Sequence, residues 1–530
     1  MERSATVRKI SDRPSDRPTT TPPDETARRH ITAGRHGEIR GLGSVPRSTQ
    51  FEGRFGRMFR TLPAAQFEPD MLRDLARAMT ASADSATPED QIDDEENVGT
   101  ATDPGISAGY TYLGQFIDHD LTFDPVSSLD RQNDPDALVD FRTPRFDLDS
   151  VYGRGPSDQP YLYRDDGRTM LLGEPLKANE TDPNPKALPR NTPAFGDPAR
   201  ALIGDPRNDE NIIVSQLQSA MLRFHNRMAD ALGASAGFDE IQRMVRWHYQ
   251  WVVLHDFLPT VVGKETITEI LGNAEGVSEP KLKFFKPRNE AFMPLEFSVA
   301  AYRFGHSMVR PIYRINQGVD RLPIFSSDEK DLRGFRAFPA ELAIDWSLFF
   351  RLKPNAPAQG KERVQPAYKI DTSLVNPLGN LPASVAVNPS SLAERNLLRG
   401  WRMQLPSGQA VARAMGLQPV AGEQLKVGKA TEAETPTNRS LEEISPKFRD
   451  NAPLWFYILA EAQQAFQNNQ TPIRMGKVGG RIVAEVFVGL MLADSHSYLR
   501  QNPSFHPIPE LAAEDGRFDM AELLRQAMQN

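Results

Sequence analysis

Apolar residues that recur every three or four positions restrict the fold of this 530-residue sequence more than any other feature. The clearest runs, 208–233 and 238–260, predict two long helices joined around Gly233 and Gly237. The same spacing predicts further helices at 66–82, 106–119, 293–309, 339–350, 389–404, 407–416, 452–467 and 479–500. Alternating runs typical of strands are scarce, and no repeat of fixed period occurs. The sequence therefore predicts a mainly α fold with long loops and little β structure.

Composition divides the chain into two unequal parts. Residues 1–45 are rich in Pro, Ser, Thr, Arg and Asp and poor in large apolar residues, which predicts a disordered tail without catalytic groups. Residues 46–520 have enough apolar residues for one large domain.

Charge and cysteine content narrow the range of functions. The 62 basic and 70 acidic residues give a net charge of −8 without a basic block, which argues against a nucleic-acid partner. No cysteine is present, so disulfides, thiolate nucleophiles and iron–sulfur clusters are excluded. His, Asp and Glu are left as the strong metal ligands.

The sequence contains no apolar run of the ~18–20 residues that a membrane-spanning helix needs. The first residues also lack the apolar core of a secretory signal peptide. We therefore expect no membrane span and a cytoplasmic or unconventionally exported protein, while the oligomeric state stays open.

The segment 114–120 (GQFIDHD) concentrates polar side chains directly after an aromatic stretch. On a helix, Gln115 and His119 share a face because they are four residues apart, whereas Asp118 projects about 100° away. Taken alone, the segment is also typical of a core histidine with solvated acidic neighbours.

A second polar segment, 142–153, carries Asp147 and Asp149 in alternation with Phe146 and Leu148. In an extended segment the two carboxylates project to one side, as suits a hard cation such as calcium. Two solvated loop aspartates are the simpler alternative.

Four further histidines lie within predicted helices. His225, His248 and His255 lie within the long predicted helices and are typical of core or helix-surface histidines. His306 lies near the end of the predicted 293–309 helix. The adjacent Ser307 partly resembles a G-x-S-x-G nucleophile, but Val309 replaces the second glycine and no strand precedes it, which argues against a hydrolase.

Five ordered segments together resemble the animal-type haem peroxidase superfamily, in particular its bacterial and peroxinectin-like branch. These segments are 114–120, 142–153, 204–210 with the following 222–227, 301–307, and 395–406. The resemblance covers roughly residues 50–500 and implies a large, mainly α peroxidase domain.

The resemblance implies distinct roles around a haem b cofactor. His306 would be the axial iron ligand, and His119 the acid and base that moves a proton between peroxide oxygens. Arg207 would stabilise developing negative charge, and Gln115 would bond distal water or an anion. Asn396 would accept the hydrogen from the second nitrogen of His306.

Other cofactor contacts follow from the same resemblance. Arg303 and Arg399 match positions that face haem propionates. Asp118 and Glu210 match carboxylates that become ester-linked to haem methyl groups. Asn211 stands where one relative has a methionine that forms a third bond, so that bond is not expected. The implied calcium ligands are Asp120, Thr143, Arg145 through its carbonyl, Asp147 and Asp149.

The expected function is oxidation of halides, thiocyanate or small phenolic donors by hydrogen peroxide, in a response to oxidative stress. A fatty-acid dioxygenase is one alternative. It needs a tyrosine three residues before the axial histidine, but position 303 is arginine and Tyr302 is four before His306, about 100° away on an α-helix. A second alternative is an adhesion protein that keeps the fold. The sequence contains no Arg-Gly-Asp or Lys-Gly-Asp tripeptide, which argues against adhesion.

Overall fold

A computed structural model describes most of the chain. The described residues are 53–82, 92–100, 102–122, 139–140, 142–193, 199–272, 280–287, 291–353, 355–386 and 388–529. They fall within one unit, Thr49–Asn530. The predicted tail, 1–45, lies outside them, so its disorder stays a prediction.

The described part is dominated by α-helices. They are α1 Pro69–Met79, α2 Ala108–Leu121, α3 Asp149–Tyr152, α4 Ile212–Leu232, α5 Phe238–Val252, α6 Leu258–Val262, α7 Lys264–Leu271, α8 Asn376–Gly379, α9 Leu392–Arg402, α10 Gly408–Ala414, α11 Leu441–Ile444, α12 Leu454–Gln467, α13 Lys477–Ala493, α14 Tyr498–Gln501 and α15 Met520–Ala527. The mainly α prediction is confirmed.

Strands are short. They are β1 Gly53–Gly56, β2 Val139–Asp140, β3 Met293–Pro294, β4 Ile312–Tyr313, β5 Leu322–Pro323, β6 Lys426–Val427 and β7 Arg439–Ser440. β1 pairs antiparallel with β2 and parallel with β3, while β4–β5 and β6–β7 form antiparallel pairs. β3 in turn contacts the helical segment Glu296–Ala300.

The core forms around helices that are apolar on most sides. In α13 every residue from 478 to 491 is buried, and α4 is buried along most of its length. Such all-round burial is typical of central helices. α2 packs against α4 and against residues 301–306, so segment 114–120 lies inside the molecule. Among the described helices, none is long and apolar enough to cross a membrane.

The junction between the two long helices lies where the sequence predicts. The side chain of Asn211 accepts the backbone N–H of Val214 at 2.9 Å and begins α4. Gly233 ends α4 with φ +83°, a conformation that favours glycine, and α5 begins after Gly237. A π-helical turn, 253–257, connects α5 to α6 within the segment predicted as one helix.

The helix predicted at 293–309 is present over residues 296–306, but it is not a regular α-helix. A π-helical turn, Glu296–Ala300, passes into a 3₁₀ helix, Ala301–His306. Side chains bond carbonyls that an α-helix would use internally. Arg303 Nε donates to Ser298 O at 3.0 Å, and Trp455 Nε1 donates to Arg303 O at 3.1 Å. These bonds come from side chains that helical periodicity does not take into account.

Two other predicted helices are also shorter than expected. Segment 339–350 contains two 3₁₀ turns, at 340–342 and 346–348, and Asp345 caps the second turn. Segment 479–500 is broken between α13 and α14. There Ser497 Oγ donates to Met491 O at 2.5 Å, and Asp494 accepts the backbone N–H of His496 at 3.0 Å. Both are cases in which short polar side chains compete for helical backbone groups.

Candidate active site

Three elements bring the predicted site residues together. They are α2, the 3₁₀ turn Pro206–Asp209 that leads into α4, and the 3₁₀ helix Ala301–His306. Both 3₁₀ segments contact α2. The sequence motifs that are widely separated along the chain therefore meet around one helix.

His119 is held at one ring nitrogen. It is 4% exposed, and its Nδ1 lies 2.7 Å from Asn208 Oδ1. Asn208 Nδ2 in turn donates to Gln218 Oε1 at 2.9 Å. An amide oxygen accepts a hydrogen, so the geometry corresponds to a protonated Nδ1 and an Nε2 with a free electron pair. His119 Nε2 lies 3.4 Å from Glu210 Oε1.

Gln115 lies on the same face of α2 as His119. Its Nε2 donates to Glu210 Oε1, and its Oε1 accepts from Asn211 Nδ2 at 3.1 Å. The carboxylate of Glu210 therefore contacts both side chains of the predicted distal face. Asn211 fixes the amide of Gln115 and also caps α4.

Arg207 lies against the last turn of α2. Its guanidinium donates to the backbone oxygens of His119 at 3.0 Å and Thr122 at 2.6 Å, and it forms an ion pair with Asp205 at 2.8 Å. Arg142 binds the same Asp205 oxygen at 2.7 Å. Burial alone would raise the pKa of Asp205, but the bonds and charges of the two arginines lower it to about 2.

His306, on the 3₁₀ helix Ala301–His306, also has an asparagine side chain next to Nδ1. Its Nδ1 lies 2.8 Å from Asn396 Nδ2, an amide nitrogen that donates, whereas the resemblance implies that Asn396 accepts a hydrogen from this ring nitrogen. Burial, together with the charge of Arg303, lowers the pKa of His306 to about 3, so the ring is neutral at ordinary pH. A Cβ added to Gly305 would meet no atom within 4 Å, so open space adjoins this histidine.

Arg303 approaches the pair of His306 and Asn396. Its Nη1 lies 3.5 Å from Asn396 Oδ1. Burial and the positive charge of Arg399 lower the pKa of Arg303 to about 10. The two arginines therefore lie in one cationic region beside His306.

Asp118 projects away from the Gln115–His119 face. Its Oδ1 accepts from Thr122 Oγ1 at 3.2 Å, and its charge acts on Tyr302 and Arg303 of the 3₁₀ helix Ala301–His306. Tyr302 OH donates to Gly114 O at 3.2 Å. The structure thus separates Asp118 and His119 into different surroundings.

The predicted calcium ligands Asp120, Asp147 and Asp149 have carboxylate oxygens within 4.8 Å of one another. Asp120 Oδ2 is buried without a hydrogen bond. Thr143 Oγ1 donates to Asp147 Oδ2 at 2.7 Å. Burial and then the charge of Asp147 raise the pKa of Asp149 to about 7. A bound cation would compensate this concentration of negative charge.

The expected extended geometry at residues 146–149 is wrong. Leu148 has φ +56°, in the left-handed region, and α3 begins at Asp149. The backbone N–H of Asp149 bonds to Asp147 Oδ1 at 3.1 Å. The carboxylates converge because of this turn rather than through strand alternation. Arg145 is half-buried, and its backbone N–H donates to Thr143 O at 2.7 Å.

The histidines assigned to helices lie apart from this site. His225 bonds to Tyr152 OH at 3.0 Å and Arg168 O at 2.9 Å. His248 bonds to Met244 O at 2.7 Å and accepts the N–H of Ile508 at 3.0 Å. Both are buried. His255 is exposed and stacks on Trp251 with ring centres 3.9 Å apart.

Sequence reasoning missed Asn208, Gln218 and Asp205. Asn208 and Asp205 flank Arg207 in the segment already singled out, but nothing in their spacing indicates which atom they bind. Gln218 is ten residues further along the chain, on the buried face of α4. A helical projection of α4 would have identified it as a polar residue among apolar ones.

Comparison with known proteins finds similarity to one family over part of the chain. The model of the animal haem peroxidase family matches residues 127–333. Human thyroid peroxidase is 27% identical over 241 residues, which are 41% of this chain and 23% of that protein. A peroxidase-like protein of Margaritifera margaritifera is 27% identical over 270 residues, 41% of this chain and 33% of that one. The chain thus spans at most about a third of the length of these two relatives.

Solved structures share the fold over a larger part. Peroxidase A from Dictyostelium discoideum has a TM-score of 0.53 and 17% identity, covering 86% of this chain and 89% of its own. A fatty acid alpha-dioxygenase of Arabidopsis thaliana has a TM-score of 0.51 and 14% identity, covering 88% and 74%. At these identities the similarity concerns the fold.

Proposed function

We propose that this chain, which belongs to the animal haem peroxidase family, binds haem b between His306 and His119 and uses hydrogen peroxide to oxidise small donors. One observation carries the proposal. Both imidazoles have Nδ1 next to an asparagine amide, with His306 near Asn396 and His119 near Asn208. At His119 the amide oxygen leaves Nε2 with a free electron pair, and His306 takes the same tautomer when the Asn396 amide turns its oxygen to Nδ1, as the resemblance implies.

The residues present fit a haem. A neutral His306 beside the open space at Gly305 meets the needs of an axial ligand. Arg303 and Arg399 supply positive charge for propionates, and Asp118 and Glu210 supply carboxylates for ester links. When bound, the haem supplies a redox-active iron that accepts oxidising equivalents from peroxide and passes them to the donor.

His119 would move the proton of hydrogen peroxide. Its Nε2 takes the proton from one oxygen and returns it to the other, which leaves as water. Gln115, fixed by Glu210 and Asn211, donates to an oxygen or anion in the same space. Arg207 would contribute positive charge near the end of α2 while Asp205 holds its guanidinium.

We also propose calcium at Asp120, Asp147 and Asp149, with Thr143 and the carbonyl of Arg145 completing the ligands. The support is the convergence of three carboxylates and the buried, unbonded Asp120 oxygen. Because Asp120 adjoins His119, the ion would stabilise the end of α2. Its chemistry is structural rather than catalytic.

The proposed donors are iodide, bromide, thiocyanate and small phenols. A fatty-acid dioxygenase is the alternative that fold similarity raises. The separation of about 100° expected on an α-helix does not apply, because Tyr302 lies on a 3₁₀ helix. Tyr302 instead donates to the carbonyl of Gly114, which cannot accept a proton on oxidation of the phenol. The hydrogen-bond partner therefore favours a peroxidase.

The proposal is tested on the purified chain supplied with haem and calcium. We expect a haem absorption spectrum, peroxide-dependent oxidation of iodide, and no oxygen uptake with linoleate. His119→Ala should reduce the iodide activity while haem binding persists. Oxygen uptake with linoleate would favour the dioxygenase, and failure to bind haem would refute both functions. Extraction with acidified solvent then shows whether Asp118 and Glu210 hold the haem covalently.

A further inference from the structure

We propose that Asn208, backed by Gln218, is the positioning residue that fixes the tautomer of His119. The inference rests on the proposed peroxidase function and adds to it a residue pair outside the distal motif. Asn208 does not face the peroxide, because its side chain lies on the Nδ1 side of the ring. It acts through His119 and is not itself a catalytic residue.

The three side chains form one buried chain of hydrogen bonds. His119 Nδ1 to Asn208 Oδ1 is 2.7 Å, and Asn208 Nδ2 to Gln218 Oε1 is 2.9 Å. His119 is 4% exposed, and the other two are fully buried. Water therefore does not compete for these groups, and Asn208 depends on its two neighbours for partners, while Gln218 Nε2 is buried without a hydrogen bond.

The direction of the chain decides the protonation of the ring. Gln218 Oε1 accepts from Asn208 Nδ2, so Asn208 turns its oxygen towards His119. An oxygen acceptor requires a hydrogen on Nδ1, which leaves the electron pair on Nε2. The opposite direction would place the hydrogen on Nε2 and remove the base. The asparagine and glutamine thus select the tautomer that can take a proton from peroxide.

Glu210 makes this selection necessary. Its Oε1 lies 3.4 Å from His119 Nε2, where a carboxylate would favour a hydrogen on that nitrogen. Asn208 holds the hydrogen at Nδ1 against that attraction. Both residues belong to the four-residue segment Asn208–Asn211, which contacts α2 from one side.

The test compares two substitutions of Asn208 in the haem-loaded protein. Asn208→Leu removes the acceptor, whereas Asn208→Asp keeps oxygen acceptors on both positions. We expect Asn208→Leu to lower kcat with peroxide roughly 10- to 100-fold, as loss of a partner of a functional imidazole does, without changing KM for iodide. Asn208→Asp should recover most of that loss.

A second measurement requires no turnover. Hydrogen cyanide binds to ferric haem as the anion, so a distal base has to take its proton. The association rate of cyanide should fall in Asn208→Leu by a similar factor and recover in Asn208→Asp. Gln218→Met should give a smaller fall, and it replaces the leucine variant if that protein does not fold.

Asn226→Leu is the matched control. Asn226 is a buried asparagine on α4, the helix that carries Gln218, but its amide bonds to the backbone of Met170 at 2.7 and 3.1 Å. The Asn226→Leu variant should be less stable than the wild type, but its rate of cyanide association per bound haem should not change. Equal rates in Asn208→Leu and Asn226→Leu, or no recovery in Asn208→Asp, would overturn the inference. A wild-type chain that binds no haem or ignores peroxide would instead refute the proposed function, and this inference with it.

Discussion

Arg207 donates a hydrogen bond from its guanidinium to the backbone carbonyl of His119 over 3.0 Å. Asp205 holds the same guanidinium through an ion pair of 2.8 Å, and Arg142 connects Asp205 to Asp149 of the carboxylate cluster. A continuous set of charged contacts therefore links the proposed cation site to the backbone of the distal histidine.

Asp205→Asn should disturb both the carboxylate cluster around Asp149 and the end of α2 at His119. The substitution removes the Asp205 counter-charge from Arg207 and leaves Arg142 paired with Asp149, and breaking a buried pair costs about 3–5 kcal/mol. We expect a lower free energy of unfolding in urea and a lower rate with peroxide, because α2 loses its anchor near His119.

Asp182→Asn is the control for the loss of a buried pair. Asp182 binds Arg223 at 2.5 and 3.0 Å, in contacts separate from those of Arg207. This variant should be destabilised to a similar extent but keep its rate per bound haem. An unchanged peroxide rate in Asp205→Asn would contradict a link between Asp205 and the distal site.

Removal of calcium should destabilise the protein. A ligand at 100 times its Kd adds about 2.7 kcal/mol to the stability of the folded state. Melting temperatures measured with calcium, with magnesium and with a chelator should show that calcium alone restores the higher value. Asp147→Asn should lose this response, whereas Asp166→Asn in an exposed turn should keep it. Equal melting temperatures in all three conditions would count against the cation site.

Asn396→Asp should lower the reduction potential of the haem iron. A carboxylate at this position makes the His306 imidazole more anionic and stabilises the ferric form. A shift of about 60 mV corresponds to a tenfold change in a one-electron equilibrium, and we expect at least that. Spectroelectrochemical titration measures it, with Asn376→Asp as control, since Asn376 bonds to the distant backbone of Ala81. A potential that rises or stays constant would contradict contact between Asn396 and the axial ligand.

Local sequence pattern predicted much of this fold. The spacing of apolar residues located α4 and α5, because packing of one buried helix face is a local property of the sequence. It also indicated that Gln115 and His119 share a face. It failed for residues 301–306, where Trp455 and Arg303 bond to backbone carbonyls. Those contacts depend on residues far apart along the chain.

The site was predictable where a motif was compact. His119, Asp118 and Asp120 are neighbours in sequence, and the structure directs them to different surroundings, while their roles stay predictions. Asn208 and Gln218 were missed because amides have no preferred partner that sequence can identify. The turn at Leu148 was missed because a positive φ at leucine is rare, so alternation was the more ordinary expectation.

Acid should destabilise the chain through His248. Burial lowers the pKa of His248 to about 4, whereas an unfolded histidine has a pKa near 6.5. Between these values the unfolded state binds the additional proton. This contribution to stability is therefore complete above pH 6.5 and is lost as pH falls towards 4, by about 3 kcal/mol in total. His225, whose pKa is also lowered to about 4 by burial, acts in the same direction.

Urea unfolding at pH 7 and pH 5 tests this prediction with His248→Gln. The variant should be less stable at pH 7, because His248 accepts the backbone N–H of Ile508 and lies among Phe224, Phe505 and Phe518. It should also lose less stability than the wild type between the two pH values, because it has no imidazole to protonate. His496→Gln is the control, since that side chain is 64% exposed and should leave the wild-type dependence unchanged. If His248→Gln keeps the full wild-type loss, the acid sensitivity has another source.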